Sequence, residues 1–220
     1  MERMVARIAL SVHRIVDAAA VVADRGGLGS VSMRSVATEL GVEAMSLYHH
    51  VANKEALLDR LADWVFTQIE LPELDADWRD ALRRRSGSVR AVIGAHPWAL
   101  GMLESRPSPG EPLLRHHDRL LGCLSLAGFS AASATHAFSV IDAYVYGFAL
   151  TEASLPFEAG DGAEQEFAEQ VAPDADEFPY LTQTLGELMS DGSFAFADEF
   201  DVGLDLILDG IERMRGDKHP

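Results

Sequence analysis

The chain reads as an all-α protein, a small three-helix head joined to a larger helical body, and three observations say so. Apolar residues recur at spacings of three and four along most of the chain. No stretch alternates apolar and polar residues as a strand would. Ser, Asn, Gly and Pro fall where one periodic stretch stops and the next begins. With 220 residues, 48% of them hydrophobic, the chain has the apolar surface for a sizeable core and too much of it for a disordered polymer.

The elements follow in order. Ser11 caps a first helix that buries Ile15, Ala18, Ala19 and Val22 and stops at Gly26-Gly27, because glycine accepts the left-handed conformation of a C-cap. Ser32 caps a second helix with Val36, Ala37 and Leu40 inward, and Gly41 ends it. A short third helix is expected from about Glu43 to His50, and Asn53 caps a fourth. Leu71-Pro72 breaks the pattern. The expected division is therefore a head over residues 1–65, a connecting fourth helix at about 53–70, and a body over 71–220. In the body, helices are predicted over Asp77–Ala95, around Trp98–Glu104, over Pro112–Ala127 and Ala131–Ser154, and finally over Phe194–Arg215. Residues 158–177 hold eight acidic residues with Gly160, Gly162 and Pro173. They read as a surface loop with at most a short helix near Phe167.

Charge is unevenly spread. Residues 1–60 hold seven basic and seven acidic residues, so the net charge of −17 falls entirely on the 160 residues that follow, nearly all of them in the body. An acidic body repels nucleic acid and leaves only the head able to approach phosphates. Cys123 is the sole cysteine, which excludes an internal disulfide, and no apolar leader follows Met1; a bacterial-type cytosol is the expected location. Leu120 to Ile141 carries no formal charge, but its Gly, Ser, Thr and His content reads as a buried helix pair rather than a membrane span.

The informative stretch runs from Ser32 to Lys54. Ala37 and Gly41 stand four apart, as a helix-turn-helix requires where its helices cross closely, and Val36, Leu40, Val42 and Leu47 fill the space between them. The second helix of such a pair lays its other face in the DNA major groove. Leu40-Gly41-Val42-Glu43, Ser46-Leu47-Tyr48, His50-Val51 and Asn53 to Asp59 closely resemble the DNA-binding module of the tetracycline-repressor family of bacterial regulators. The likeness continues more weakly through Ser105-Arg106-Pro107 and Ala127-Gly128-Phe129-Ser130.

That resemblance implies a ligand-responsive repressor that binds a pseudo-palindromic double-stranded operator as a homodimer. It assigns DNA contacts to Arg34, Ala44, Met45, Ser46, Tyr48, His49, His50 and Lys54. Ala44 cannot read adenine as a glutamine there would, so the operator should differ from the tetracycline operator. It implies a dimer through the last two long helices, by way of Phe138, Tyr144, Val145, Phe148, Phe200, Gly203, Leu204, Ile207, Gly210, Ile211 and Met214. It also implies a small-molecule pocket, for which Trp64, Trp98, Met102, Ser105, His117, Phe138, Asp142 and Tyr146 are the candidates. Asp142 lies among uncharged neighbours in its helix, so it either hydrogen-bonds within the core or receives a ligand cation. Met102 stands near the position of the family's magnesium-binding histidine and suits no hard cation, so a metal-free apolar or aromatic inducer and no cofactor are expected. The competing classes are a helical ligand- or partner-binding protein without operator activity, and a metal-dependent enzyme built on His116, His117, Asp118 and Cys123. Against the enzyme, adjacent histidines on a helix do not share a face, and no catalytic sequence signature occurs.

Overall fold

The structure, a computed structural model, describes residues 9–103, 109–157, 163–190, 192 and 194–215. Among the described residues there are eleven α-helices and no strand.

The head is built from α1 (Val12–Gly26), α2 (Met33–Leu40) and α3 (Ala44–Leu47). The Arg14 N–H donates to Ser11 Oγ at the start of α1, and Gly27 ends it with a φ of 70°. At α2, Ser32 and Ser35 form a capping box in which each side chain accepts the other's backbone N–H. Gly41, with φ 65°, closes α2 and turns the chain toward α3. The reading helix is shorter than the sequence suggested: α3 is a single helical turn, and Tyr48 to His50 continue as a turn. Ile15, Val36, Ala37, Leu47 and Val51 are buried together with Leu57 and Leu61 of α4 (Lys54–Gln68), so the fourth helix completes the head's core. Asn53 caps α4 by accepting the Ala56 N–H at 2.8 Å.

The body holds α5 (Trp78–Ala95), α6 (Leu100–Leu103), α7 (Glu111–Leu126), α8 (Ala131–Ala153), α9 (Ala163–Val171), α10 (Pro179–Leu188) and α11 (Glu199–Glu212). Asp77 and Ser130 cap α5 and α8. Helix α8 lies against α5, α7 and α11, and α7 also lies against α4. Leu82, Ile93, Leu120, Leu124, Ile141, Leu204 and Leu208 form the centre of this core.

Two departures from the sequence reading have local causes. The short helix allowed near Phe167 is present as α9, nine residues long, and its Glu164 is buried and accepts the Phe196 N–H. That contact, with Phe196 stacked 5.0 Å from Phe148, holds residues 196–198 as a 3-10 turn, so α11 starts at Glu199 rather than Phe194. Helix α10 was not anticipated at all; it starts at Pro179, a favoured first position, after a run of acidic residues that masks the signal.

Gly203 also has a different role from the one expected. Tyr144 donates its hydroxyl to the Phe200 carbonyl at 2.9 Å, and a Cβ on Gly203 would overlap the Tyr144 ring. This glycine therefore sets the approach of α11 to α8 within one chain, whereas nothing described lies opposite Gly210.

Candidate DNA interface and ligand cavity

The head presents its expected reading face to solvent. Arg34, Met45, Tyr48, His49, His50 and Lys54 are exposed, Met45 at 72%. Ala44 and Ser46 are half-buried, and Ala44 packs on the core of the head. Arg25 is engaged elsewhere: it forms a bidentate pair with Glu39, at 2.6 and 3.3 Å, that ties α1 to α2. Arg34 and Lys54 make no ion pair or side-chain hydrogen bond among the described residues, so their charges are available to phosphate. Lys54 also opens α4, where backbone amides favour anions.

A clasp of aromatic and acidic side chains joins head to body. Trp98 Nε1 donates to Asp24 of α1 at 2.6 Å, and His96 Nδ1 lies 2.7 Å from the same carboxylate oxygen. Trp64 of α4 donates to Asp17 of α1 at 3.2 Å and stacks on Trp98 at 6.2 Å. The two tryptophans expected in the pocket thus sit in this clasp and are absent from the cavity wall.

Two more expected pocket residues are also spoken for. Asp142 is buried on α8 and bound bidentately by buried Arg85 of α5, at 2.6 and 3.3 Å, with the Tyr146 hydroxyl 3.4 Å away. The first of the two readings of Asp142 is therefore the one the structure supports. Phe138 packs edge-on against His117 and does not reach the cavity wall. Ser105 lies outside the described residues.

What remains is a cavity of about 660 Å³ between α4, α6, α7 and α8, within the size range of small-molecule sites. Of the pocket candidates, Met102, His117 and Tyr146 line it. So do Phe66, Leu103 and Leu113, and the charged residues Asp59, Arg60 and Asp63 of α4, which sequence reasoning missed. Their signal is the shared face of positions 59, 63 and 66 on α4, a helix that the sequence presents only as a connector. Burial raises the Asp63 carboxyl above its ordinary 3.8, Arg60 pulls it down, and Asp59 and Glu111 push it up.

Beside the cavity, His116 is buried with Nε2 2.7 Å from the Phe66 carbonyl, while Nδ1 finds no partner among the described residues. His116 and His117 point to different surroundings and do not form a shared ligand set. Burial lowers the His116 pKa below 6.5, against the Phe66 carbonyl and with help from Arg85. A depressed histidine keeps its full stabilising effect above the unfolded value of 6.5 and loses it as pH falls through 6.5 toward the folded value. Urea midpoints taken from pH about 7.5 to about 5.5 should therefore fall further in the parent protein than in His116→Gln, which lacks the titrating ring.

On α8 and α11, the helices expected to meet a partner, the side chains expected there divide. Val145, Phe200, Leu204 and Ile211 are buried in the chain's own core and have no surface to offer. Phe138, Tyr144, Phe148, Gly203, Ile207 and Met214 are half-buried, and Gly210 is exposed. The exposed apolar stripe consists instead of Val140, Ala143, Gly147 and Leu150 on α8 with Val202 and Leu206 on α11, Leu206 at 70%. No described helix is long and apolar enough to cross a membrane.

Comparison with known proteins matches this architecture at both ends. Residues 15–61 match the family model for bacterial regulatory proteins of the tetR family, and residues 71–215 match that for the tetracyclin repressor-like C-terminal domain. The HTH-type transcriptional repressor DrrR1 of Streptomyces coeruleorubidus is 33% identical, over 96% of this chain and 82% of its own. The class C tetracycline repressor protein of Escherichia coli is 31% identical, over 86% of this chain and 84% of its own. Among solved structures, Streptomyces coelicolor ActR in complex with actinorhodin superposes with a TM-score of 0.77 at 28% identity, covering 96% of this chain and all of ActR. A matched reading head and a matched body, continuous over almost the whole sequence, make one assignment: this chain belongs to the tetracycline-repressor family of bacterial transcriptional regulators.

Proposed function

We propose that the protein is a cytosolic repressor that binds a pseudo-palindromic operator as a homodimer and leaves it when an apolar or aromatic small molecule fills the α4–α6–α7–α8 cavity. One observation carries the reading: α4 contributes both to the core of the head, through Leu57 and Leu61, and to the cavity wall, through Asp63 and Phe66. A ligand that favours one tilt of α4 thereby biases the position of the reading head, and linkage makes ligand and operator weaken each other by the same factor. The actinorhodin complex of ActR supports a small-molecule role for the body.

The working division is a head over 1–65, α4 as connector, and a body over 71–220. Two heads must stand about 34 Å apart to enter successive grooves. The stripe of Val140, Gly147, Leu150, Val202 and Leu206 is the surface that best suits that pairing. Arg34, Tyr48 and Lys54 serve phosphate or groove edge, and Ala44, Met45 and Ser46 meet the bases, with His49 and His50 at their edge.

Selection of binding sites from a random duplex library should return an inverted repeat. In gel shifts with that repeat, Lys54→Ala should weaken binding at all sites alike. It should also flatten the slope of log affinity against log salt by about 0.9 per copy. Absence of any selected duplex would instead support a ligand-binding protein without operator activity.

A further inference from the structure

The cavity is apolar along Phe66, Met102, Leu103 and Leu113, but its α4 wall carries charge. Those charges are not equivalent. Asp59 is exposed, and the neighbouring Glu111 of α7, which is not part of the wall, is bonded to Arg115 one turn on. Arg60 is exposed and lies between Asp59 and Asp63 on its own helix. Asp63 alone combines partial burial, a place on the cavity wall and the lack of any hydrogen bond or ion pair among the described residues. Its carboxylate rests directly against Gly110, where a Cβ would overlap both its oxygens and its Cγ. Gly110 is the N-cap residue of α7, and no side chain bonds the amides of that first turn among the described residues. A half-buried carboxylate with open lone pairs beside an apolar, ring-sized space is built to receive a cation.

We propose that the inducer is an organic cation: an apolar, ring-bearing body held by Phe66, Met102, Leu103 and Leu113, with a single protonated or quaternary nitrogen set on Asp63. This rests on the cavity being the regulatory site and names the chemistry of its ligand. Because Asp63 sits on α4, the ion pair draws directly on the helix that carries the head.

Three tricyclic probes of like size test it by fluorescence titration of the full-length protein: 10-methylacridinium (a permanent cation), 10-methylacridone (neutral) and 9-anthracenecarboxylate (an anion). The cation should bind on the order of tenfold more tightly than the neutral compound. Asp63→Asn should erase that margin while leaving 10-methylacridone binding unchanged, which shows that the cavity is intact. Gly110→Ala, which displaces the carboxylate without removing it, should erase it too. Equal binding of cation and neutral probe, or a margin that survives Asp63→Asn, overturns the proposal alone. Tightest binding of the anion also overturns it, and makes Arg60 the anchor. Failure of all three probes to bind overturns the ligand chemistry and the cavity's regulatory role together.

Discussion

Asp142→Ala should destabilise the protein by about 3–5 kcal/mol, read as a lowered urea midpoint at unchanged slope. The reason lies in what is left behind. Arg85 and Asp142 are 2% and 5% exposed, and their bidentate pair joins α5 to α8 at the centre of the body. Removing the carboxylate strands a guanidinium that cannot shed its proton, in a site where its Nε already lacks a partner among the described residues. Replacing both members, as in Arg85→Met with Asp142→Leu, should recover most of the loss, because two well-packed apolar side chains avoid the desolvation that the ion pair must offset. If the double variant were as unstable as the single one, stranded charge would not be the cause. Tyr146, which shares the Asp142 carboxylate and lines the cavity, connects this pair to the cavity wall.

The second large effect is expected at the clasp. Trp98→Ala removes a buried indole, an interaction with Trp64 and the donor to Asp24, and should cost about 3–5 kcal/mol. Because the lost contacts join α1 to the body, the damage should be uneven. Hydrogen exchange should rise first in α1 and α2, and operator affinity should drop even without inducer. Met102→Ala provides the contrast, since its side chain lines the cavity, whereas Trp98 does not. It should alter the response to ligand while leaving operator affinity close to that of the parent. A Trp98→Ala protein with normal operator binding and altered ligand response alone would return Trp98 to the ligand site.

That contrast also shows where sequence reasoning succeeds and where it runs out. Helix starts were legible because capping is local: Ser11, Ser32, Asn53, Asp77 and Ser130 each bond a backbone amide two or three residues away. Tryptophans were not assignable, because an indole suits a ligand wall and an interdomain contact equally. Only the positions of Asp17 and Asp24, both far off in sequence, decide between them. On α8 and α11, apolar residues recur at helical spacing on several faces, so periodicity alone could not separate inward Val145 and Leu204 from outward Leu150 and Leu206. Asp63 was missed for the opposite reason: a single acid on a connector looks like solvated surface until its helix is seen to border a hollow.

The length of α4 has a mechanical consequence. Fifteen residues at about 1.5 Å each make a rod roughly 22 Å long. A tilt of about 5° at one end sweeps the other by about 2 Å, a large fraction of the tolerance of a hydrogen bond. Two such rods moving in mirrored directions would alter the spacing between reading heads by roughly twice that. A very small adjustment near Asp63 could thus be magnified, by geometry alone, into a misfit with the pitch of the duplex.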